Sequence, residues 1–354
     1  MLGLFARLRS VFSGAANTTT SKSEPRRVHI SSKIDIAASN VVTRPNPFSM
    51  LTAQYGFYTT VFGHMEDQKP LSAQQKLDRG IVVKALKSKA QRVKSIPRLP
   101  SVIPQLLQRL RDPGADVGDY IKIINKDLSL SASVLKLANS VYFNRTSKRV
   151  TSIETAMVKL GEQGLRSVLS AAVMQPVIQR KSYYYSEFGH KLWMHSLHCA
   201  VACEMIAADR GQEPFKAYLL GLVHDIGKIT LFCELSSQFA KSNNSQEPGF
   251  AAFAPVMQAA SESLSYSVAQ DWELPEEICS ALKQQIKLKE GDTIDDYAHI
   301  LFQANLACEL YAIVNFDPTE HDAVAQALKD MKLPTDLFKE LDLVSKKIYL
   351  SDGG

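Results

Sequence analysis

His224 and Asp225 are adjacent, and Ile226-Gly227-Lys228 follows them directly. An imidazole nitrogen beside a hard carboxylate oxygen is the beginning of a divalent-metal site of the kind that activates water. The pair comes after Ala217 to Val223 (AYLLGLV) and reads as lying on one apolar helix. Polar residues buried in such a run need partners, because desolvation is otherwise too costly. Two ligands are too few for a catalytic metal. His195 is the first additional candidate: it lies in the helical run His190 to Arg210, roughly 30 residues upstream, a gap that suits two packed helices and their loop. Downstream the supply fails. Only His299 and His321 follow His224, and Asn305 stands where an aspartate would complete the set. An amide has no anionic oxygen to offer. A working phosphohydrolase centre would have to recruit Glu187, Glu204, Glu262 or Asp271, with Lys228 steadying a phosphate. The plainer alternative is a structural pair, since Asp225 and Lys228 are three residues apart on a helix.

The elements that must position these residues read as helical. Apolar residues at 102, 103, 106, 107 and 110 repeat at helical period, and Asp112-Pro113-Gly114 ends that run. Val117 to Asn125 repeats the pattern. Ser131 is placed to cap the next helix, whose face is Val134, Leu135, Leu137 and Ala138. Thr151 and Glu154 form a capping-box signature ahead of Ala156, Met157 and Leu160. Gly161 and Gly164 mark a tight turn, and Leu165 to Val173 is a further helix closed before Pro176. Short helices separated by turns predict a compact all-α bundle. Before them, residues 49–94 carry roughly two helices, and Pro97 and Pro100 form a hard boundary. A helix-turn-helix DNA reader is not expected. Its candidate recognition helix, Ser131 to Val141, has one basic residue, Lys136, and a reader needs several.

Charge and cysteines narrow the class. The net charge of +5 resides in residues 1–50, with seven Lys or Arg against two Asp or Glu, so the remainder is neutral. A neutral body argues against a large nucleic-acid footprint. The local cluster Lys84, Lys87, Lys89, Arg92, Lys94 and Arg98 reads chiefly as a solvated face, with docking of an acidic partner as the minor reading. Cys199, Cys203, Cys233, Cys279 and Cys308 form no CxxC and lie mostly in apolar runs. They read as free buried thiols in a reducing compartment. Met1 to Phe12 is a short amphipathic start, and residues 13–48 read as a disordered tether.

Several motifs then converge on a resemblance. Ile96-Pro97-Arg98-Leu99-Pro100 resembles the LPxLP-type opening of the HDOD domain. Lys126 to Leu130 with Leu135 to Ser140 resembles its D-P-x-L…L-L-x-L-A-N-S helix pair. Ser152-Ile153, Ala156 and Leu160-Gly161 resemble its S-I-x-x-A-I-x-x-L-G element. Trp193-x-His195-Ser196, Gly221 to Lys228, and Trp272-Glu273-Leu274-Pro275 resemble W-x-H-S, G-L-L-H-D-I-G-K and W-x-L-P. The resemblance implies an all-α, multi-helical fold related to the HD phosphohydrolases and seen mainly in bacterial signalling proteins, many of whose members have lost the metal site. This chain departs from the fuller pattern at Gln285 and Ile286, where an H-H pair would stand, and across Ser261 to Ser267, which holds no histidine. There is no G-Y-P motif.

The resulting expectation has four segments: an amphipathic start and disordered tether over 1–48, a helical extension and linker over 49–95, the HDOD domain over 96–290 (halves 96–185 and 186–290), and completing helices over 291–354. The function expected is a non-catalytic signal-transduction module that binds a protein or a nucleotide. The alternative is a metal-dependent phosphohydrolase or phosphodiesterase with an incomplete ligand set. His195, His224 and Asp225 are the vestigial metal residues, and Lys228, Asn305 and Trp193 line a candidate groove. No cofactor is expected; a divalent iron, manganese or zinc ion is the fallback. The partner is a signalling protein, nucleic acid is not expected, and a weak membrane-surface contact is assigned to residues 1–12. The location expected is the cytoplasm, with peripheral association at the inner membrane as the variant.

Overall fold

The computed structural model describes residues 27–29, 50–63, 70–95, 118, 121, 124–125, 128–146, 148–178, 186–242, 248–289, 292–318, 324–325, 328 and 331–348. The amphipathic start, the Ile96 to Pro100 boundary, the helix expected at 101–111 and most of that at 117–125 lie outside these residues. Among the described residues the chain is all-α apart from one short ladder. In chain order the elements are β1 (Arg27–His29), α1 (Met50–Phe62), α2 (Ala73–Lys87), α3 (Lys89–Ser95), α4 (Leu128–Ala138), α5 (Ile153–Ile178), α6 (Ser186–Asp209), α7 (Pro214–Val223), α8 (Ile226–Lys241), α9 (Phe250–Asp271), α10 (Glu276–Gln285), β2 (Thr293–Asp295), α11 (Asp296–Phe316) and α12 (Leu337–Ile348). β1 pairs antiparallel with β2, Val28 opposite Ile294. The expected tether over 13–48 therefore contains three residues held in a ladder.

Local chemistry sets most boundaries. Ser72 and Gln75 form a capping box at the start of α2. Pro214 opens α7, and the Glu213 carboxylate accepts from Phe215 N at 3.0 Å and Lys216 N at 2.7 Å. Three expected boundaries shift. Ser152, not Thr151, caps α5, its Oγ accepting from Thr155 N at 3.1 Å. Ser131 lies inside α4, where its hydroxyl donates to the Ile124 carbonyl at 2.8 Å instead of capping. α5 runs past Pro176 to Ile178, and Gly161 kinks it with a positive φ of 70°. Asn139 staples the following loop: Nδ2 donates to Val150 O at 2.7 Å and Oδ1 accepts from Val150 N at 2.7 Å.

A large core runs through the bundle, with a smaller cluster of Ala53, Leu306, Leu310, Val324 and Met331 beside it. α6 packs on α5, α7, α11 and α12, and α11 packs on α1, α6, α7 and α10. These two helices form the axis on which the site is built. The extension helices dock on the same half. α1 packs against α11, α9 and α6, with Phe62 stacked on Phe253 at 5.0 Å between ring centres. Lys191 Nζ donates to the Thr60 carbonyl at 3.0 Å. Asp78 accepts from Gln238 at 3.0 Å and from Ser242 at 2.5 Å, tying α2 to α8. From the basic cluster, Arg92 pairs with Asp271 at 2.9 Å and the exposed Lys89 reaches the same carboxylate at 3.7 Å, while Lys84, Lys87 and Lys94 face solvent. No described helix is long and apolar enough to cross a membrane.

Two glycines set how closely the helices meet. A Cβ on Gly221 would collide with the Cys199 carbonyl, and one on Gly227 with the Ser261 carbonyl. Gly227 N donates to Ser265 Oγ at 2.9 Å across that contact. Gly227→Ala must push α8 off α9, and it is expected to cost about 3 kcal/mol in chemical denaturation. His198 gives a second test. It is buried between α6 and α12, Nε2 3.0 Å from Ser345 Oγ. Burial pushes its pKa down to about 3 from an ordinary 6.5. The folded chain keeps it neutral while the unfolded chain takes up a proton, so its contribution is complete above 6.5 and is lost as pH falls toward 3. Relative to His198→Gln, the wild type should lose about 2 kcal/mol of stability between about pH 7.5 and pH 5.

Candidate metal centre

The His224–Asp225 pair occupies a break between helices. α7 ends at Val223 and α8 begins at Ile226, so the expectation of one continuous apolar helix is corrected. The break matters chemically. Asp225 (φ −98°, ψ 14°) stands at the N-cap of α8 but caps no backbone N–H; its carboxylate turns inward. Both side chains therefore point at the facing side of α6 and α11.

Four helices supply the centre. His224 Nδ1 donates to the Gly221 carbonyl at 2.7 Å, which fixes the ring and aims Nε2 inward, as carbonyl partners do for metal-binding imidazoles. Nε2 lies 3.3 Å from Asp225 Oδ1 and 3.1 Å from Asn305 Oδ1. His195, from α6, brings Nε2 to 3.4 Å from Asp225 Oδ2 and 3.0 Å from Asn305 Oδ1. Cys199, one turn along α6, places Sγ 3.6 Å from His195 Nε2. Asn305 Nδ2 donates to Glu309 Oε1 at 3.3 Å. Lys228 Nζ is 2.9 Å from Asp225 Oδ2 and 3.7 Å from Glu309 Oε1. The rings of Phe57 and Tyr58 on α1 cover that ammonium at 5.4 and 5.6 Å, and the Phe57 ring lies 4.3 Å from that of His195.

The electrostatics follow from burial and pairing. Burial alone would raise the Asp225 carboxyl, but His224 and Lys228 hold it far below the usual carboxylate range. Burial alone would neutralise Lys228, but the Asp225 charge keeps its ammonium protonated well beyond the ordinary range. For His224 the Asp225 charge likewise outweighs burial and holds the imidazole well above its usual value. His195 goes the other way: burial outweighs Asp225 and keeps it neutral. Burial pushes Glu309 up to about 7, against the pull of Lys228.

Of the residues singled out in the sequence, the structure brings His195, His224, Asp225, Lys228 and Asn305 together. Trp193 does not join them: it is fully buried in the core, two residues from His195 and so on another face of α6. The substitute carboxylates mostly miss. Asp271 is engaged by Arg92 at the far end of α9, and Glu204 faces Ser167 on α5. The Glu187 side chain lies outside the described residues. Glu262 lines the cavity beside the centre, where it accepts from Lys287 N at 3.0 Å. Gln285, Ser261 and Ser265 also line it, at the positions where further histidines were sought. Four partners were missed. Cys199 was read as an inert thiol, although a His-x-x-x-Cys spacing on a helix puts both on one face. Glu309 has the same four-residue relation to Asn305. Phe57 and Tyr58 could be assigned no position from sequence.

The donor set fits one metal ion. A ring nitrogen of His195, a ring nitrogen of His224 and Cys199 Sγ lie within 4.8 Å of one another, with Asp225 Oδ1 3.3 Å from His224 Nε2 and Oδ2 3.4 Å from His195 Nε2. Donors around a tetrahedral ion with bonds of about 2.0–2.3 Å are spaced roughly 3.3–3.8 Å apart. A second ion finds no comparable set among the described residues. The cavity itself holds about 60 Å³, the space of roughly two waters.

The domain-level identity rests on comparison with known proteins. The HDOD domain profile matches residues 96–288. An uncharacterized protein of Treponema pallidum (strain Nichols) is 24% identical over 200 residues, which are 55% of this chain and 38% of that protein. The chain thus spans well under half the length of that relative. Among solved structures, an HDOD domain protein of unknown function from Geobacter sulfurreducens superposes with a TM-score of 0.52 at 18% identity, covering 78% of this chain and 95% of the other. A Shewanella amazonensis SB2B protein provisionally named a metal-dependent phosphohydrolase superposes with a TM-score of 0.55 at 18% identity, covering 77% and 98%. At these identities the structures speak for the fold alone. The profile covers more than half the chain, from the opening prolines to the helix after Trp272-Glu273-Leu274-Pro275, and the protein belongs to the HDOD domain family.

Proposed function

We propose that this protein is a non-catalytic signal-transduction module that works by binding a protein partner. The observation that carries the reading is the closed centre. Lys228 already supplies a cation to Asp225 and Glu309, and Phe57 and Tyr58 lie over it. The remaining cavity of about 60 Å³ is far below the roughly 300–1,000 Å³ of small-molecule pockets. A nucleotide does not fit beside these residues as they stand, so the nucleotide-binding variant of the reading is disfavoured and protein binding is kept. A cytoplasmic location with weak membrane-surface contact through residues 1–12 belongs to the same proposal.

The rival, a metal-dependent phosphohydrolase, is favoured by the convergence of His195, His224 and Asp225. It would need an open metal position, a water and space for a phosphoester. The test uses the full chain supplied in turn with zinc, manganese or iron(II) and assayed against cyclic dinucleotides and nucleotide phosphoesters. No turnover is expected, and cross-linking in the native host should recover a discrete protein partner. Metal-dependent turnover that disappears in Asp225→Ala would overturn the proposal. Lys228→Met separates the two roles of the lysine. A structural ammonium leaves Asp225 and Glu309 unpaired when removed, so a loss of about 3–5 kcal/mol is expected in denaturant unfolding. A substrate-binding lysine would instead leave stability nearly unchanged.

A further inference from the structure

We propose that Cys199 is a metal ligand, and that His195, Cys199, His224 and Asp225 together form a closed zinc site. The set His195, His224 and Asp225 is one carboxylate short of a hard-metal centre, because Asn305 offers only an amide. Cys199 supplies the missing anionic donor from a different position. It lies one turn beyond His195 on α6, and its Sγ is 3.6 Å from His195 Nε2. Asp225 reaches both rings with different oxygens, Oδ1 lying 3.3 Å from His224 Nε2 and Oδ2 3.4 Å from His195 Nε2, separations of the size found between donors on one small ion.

The donor chemistry selects the ion. Two imidazoles, one thiolate and one carboxylate are a borderline-soft set that suits zinc over magnesium, calcium or manganese. The carbonyl of Gly221 already orients His224 for ligation at Nε2. Charge also closes. A divalent ion and Lys228 would face the Cys199 thiolate, Asp225 and Glu309, three positive charges against three negative in a buried volume. With four protein ligands no position remains for an activated water, and closed sites of this kind are structural. Zinc binding is therefore compatible with the non-catalytic reading but does not depend on it. Zinc uptake without hydrolysis leaves both standing, and failure of zinc uptake leaves partner binding untouched.

The experiment uses the full chain. X-ray absorption at the zinc edge of zinc-loaded protein is expected to show one equivalent of zinc with a single sulfur neighbour at about 2.3 Å. Cobalt(II) substitution should give the intense visible bands of a tetrahedral ion and a near-ultraviolet thiolate-to-cobalt band. Cys199→Ser should abolish that band and weaken zinc at least roughly tenfold. Cys203→Ser and Cys308→Ala, on buried thiols nearby, should retain it. Zinc with no sulfur neighbour, failure to take up zinc or cobalt, or a charge-transfer band that survives in Cys199→Ser would each overturn the proposal. Should Cys199→Ser not fold, the sulfur count in the wild type and the loss of the band in either control variant still decide it.

Discussion

The buried pair of Lys228 and Asp225 is the constraint on which the rest of the centre depends. Neither charge can be buried alone without a penalty of several kcal/mol. Placing both 2.9 Å apart requires a break in the backbone between α7 and α8, because only there does the Asp225 carboxylate turn away from its own helix N-terminus. The break requires α8 to seat tightly on α9, which Gly227 permits by carrying no Cβ. The remaining carboxylate capacity then calls for His224 and His195, and these call for Asn305. Glu309 shares the ammonium, and Phe57 and Tyr58 exclude water from it. A chain of local requirements thus connects a dipeptide to six helices.

The same pairing weighs against hydrolysis on grounds of magnitude. In a catalytic centre the metal supplies the positive charge, and its open position holds the nucleophile. Here a fixed ammonium is already held by two carboxylates, and the space beside it is about 60 Å³. Opening the centre to a substrate would mean moving α1. That helix is anchored by the Phe62–Phe253 stack and by the Lys191–Thr60 hydrogen bond. α1 lies outside the matched domain, which runs from 96 to 288, so the chain's own extension supplies the cover.

Much of this was legible in the sequence, for identifiable reasons. Helical periodicity is a strong signal, and it gave an all-α bundle. Gln285 and the segment Ser261 to Ser267, singled out in the sequence for carrying no histidine, do meet in space: the structure sets Gln285, Ser261 and Ser265 around the cavity. What periodicity cannot convey is where helices stop when the stop is not marked by proline or a strong cap. Asp225 looks like an ordinary helical residue, yet it sits at a break, because its carboxylate is engaged by Lys228 instead of a backbone N–H. Ser131 and Thr151 failed as caps for the converse reason: a hydroxyl can serve a neighbouring carbonyl or yield to the next serine. Contacts between distant elements were hidden altogether. Nothing near Phe57 indicates that its ring meets His195, and nothing near Trp193 separates a core indole from a groove wall.

Persistence of the His-Asp-x-Gly-Lys run is weak evidence of catalysis. Replacing a buried ionic cluster by well-packed apolar residues of like volume is often neutral or stabilising, but removing one member alone typically costs about 3–5 kcal/mol. A domain with a net stability of roughly 5–15 kcal/mol can lose a large part of it in that single step. The cluster is therefore guarded by its intermediates: each one-residue change from Asp225, His224 or Lys228 strands a buried charge held by the others. Asn305 is a position where change is cheaper, since a neutral amide adds no buried charge that needs a partner. The cost of breaking the charged core follows from electrostatics whether or not the centre ever turns over a substrate.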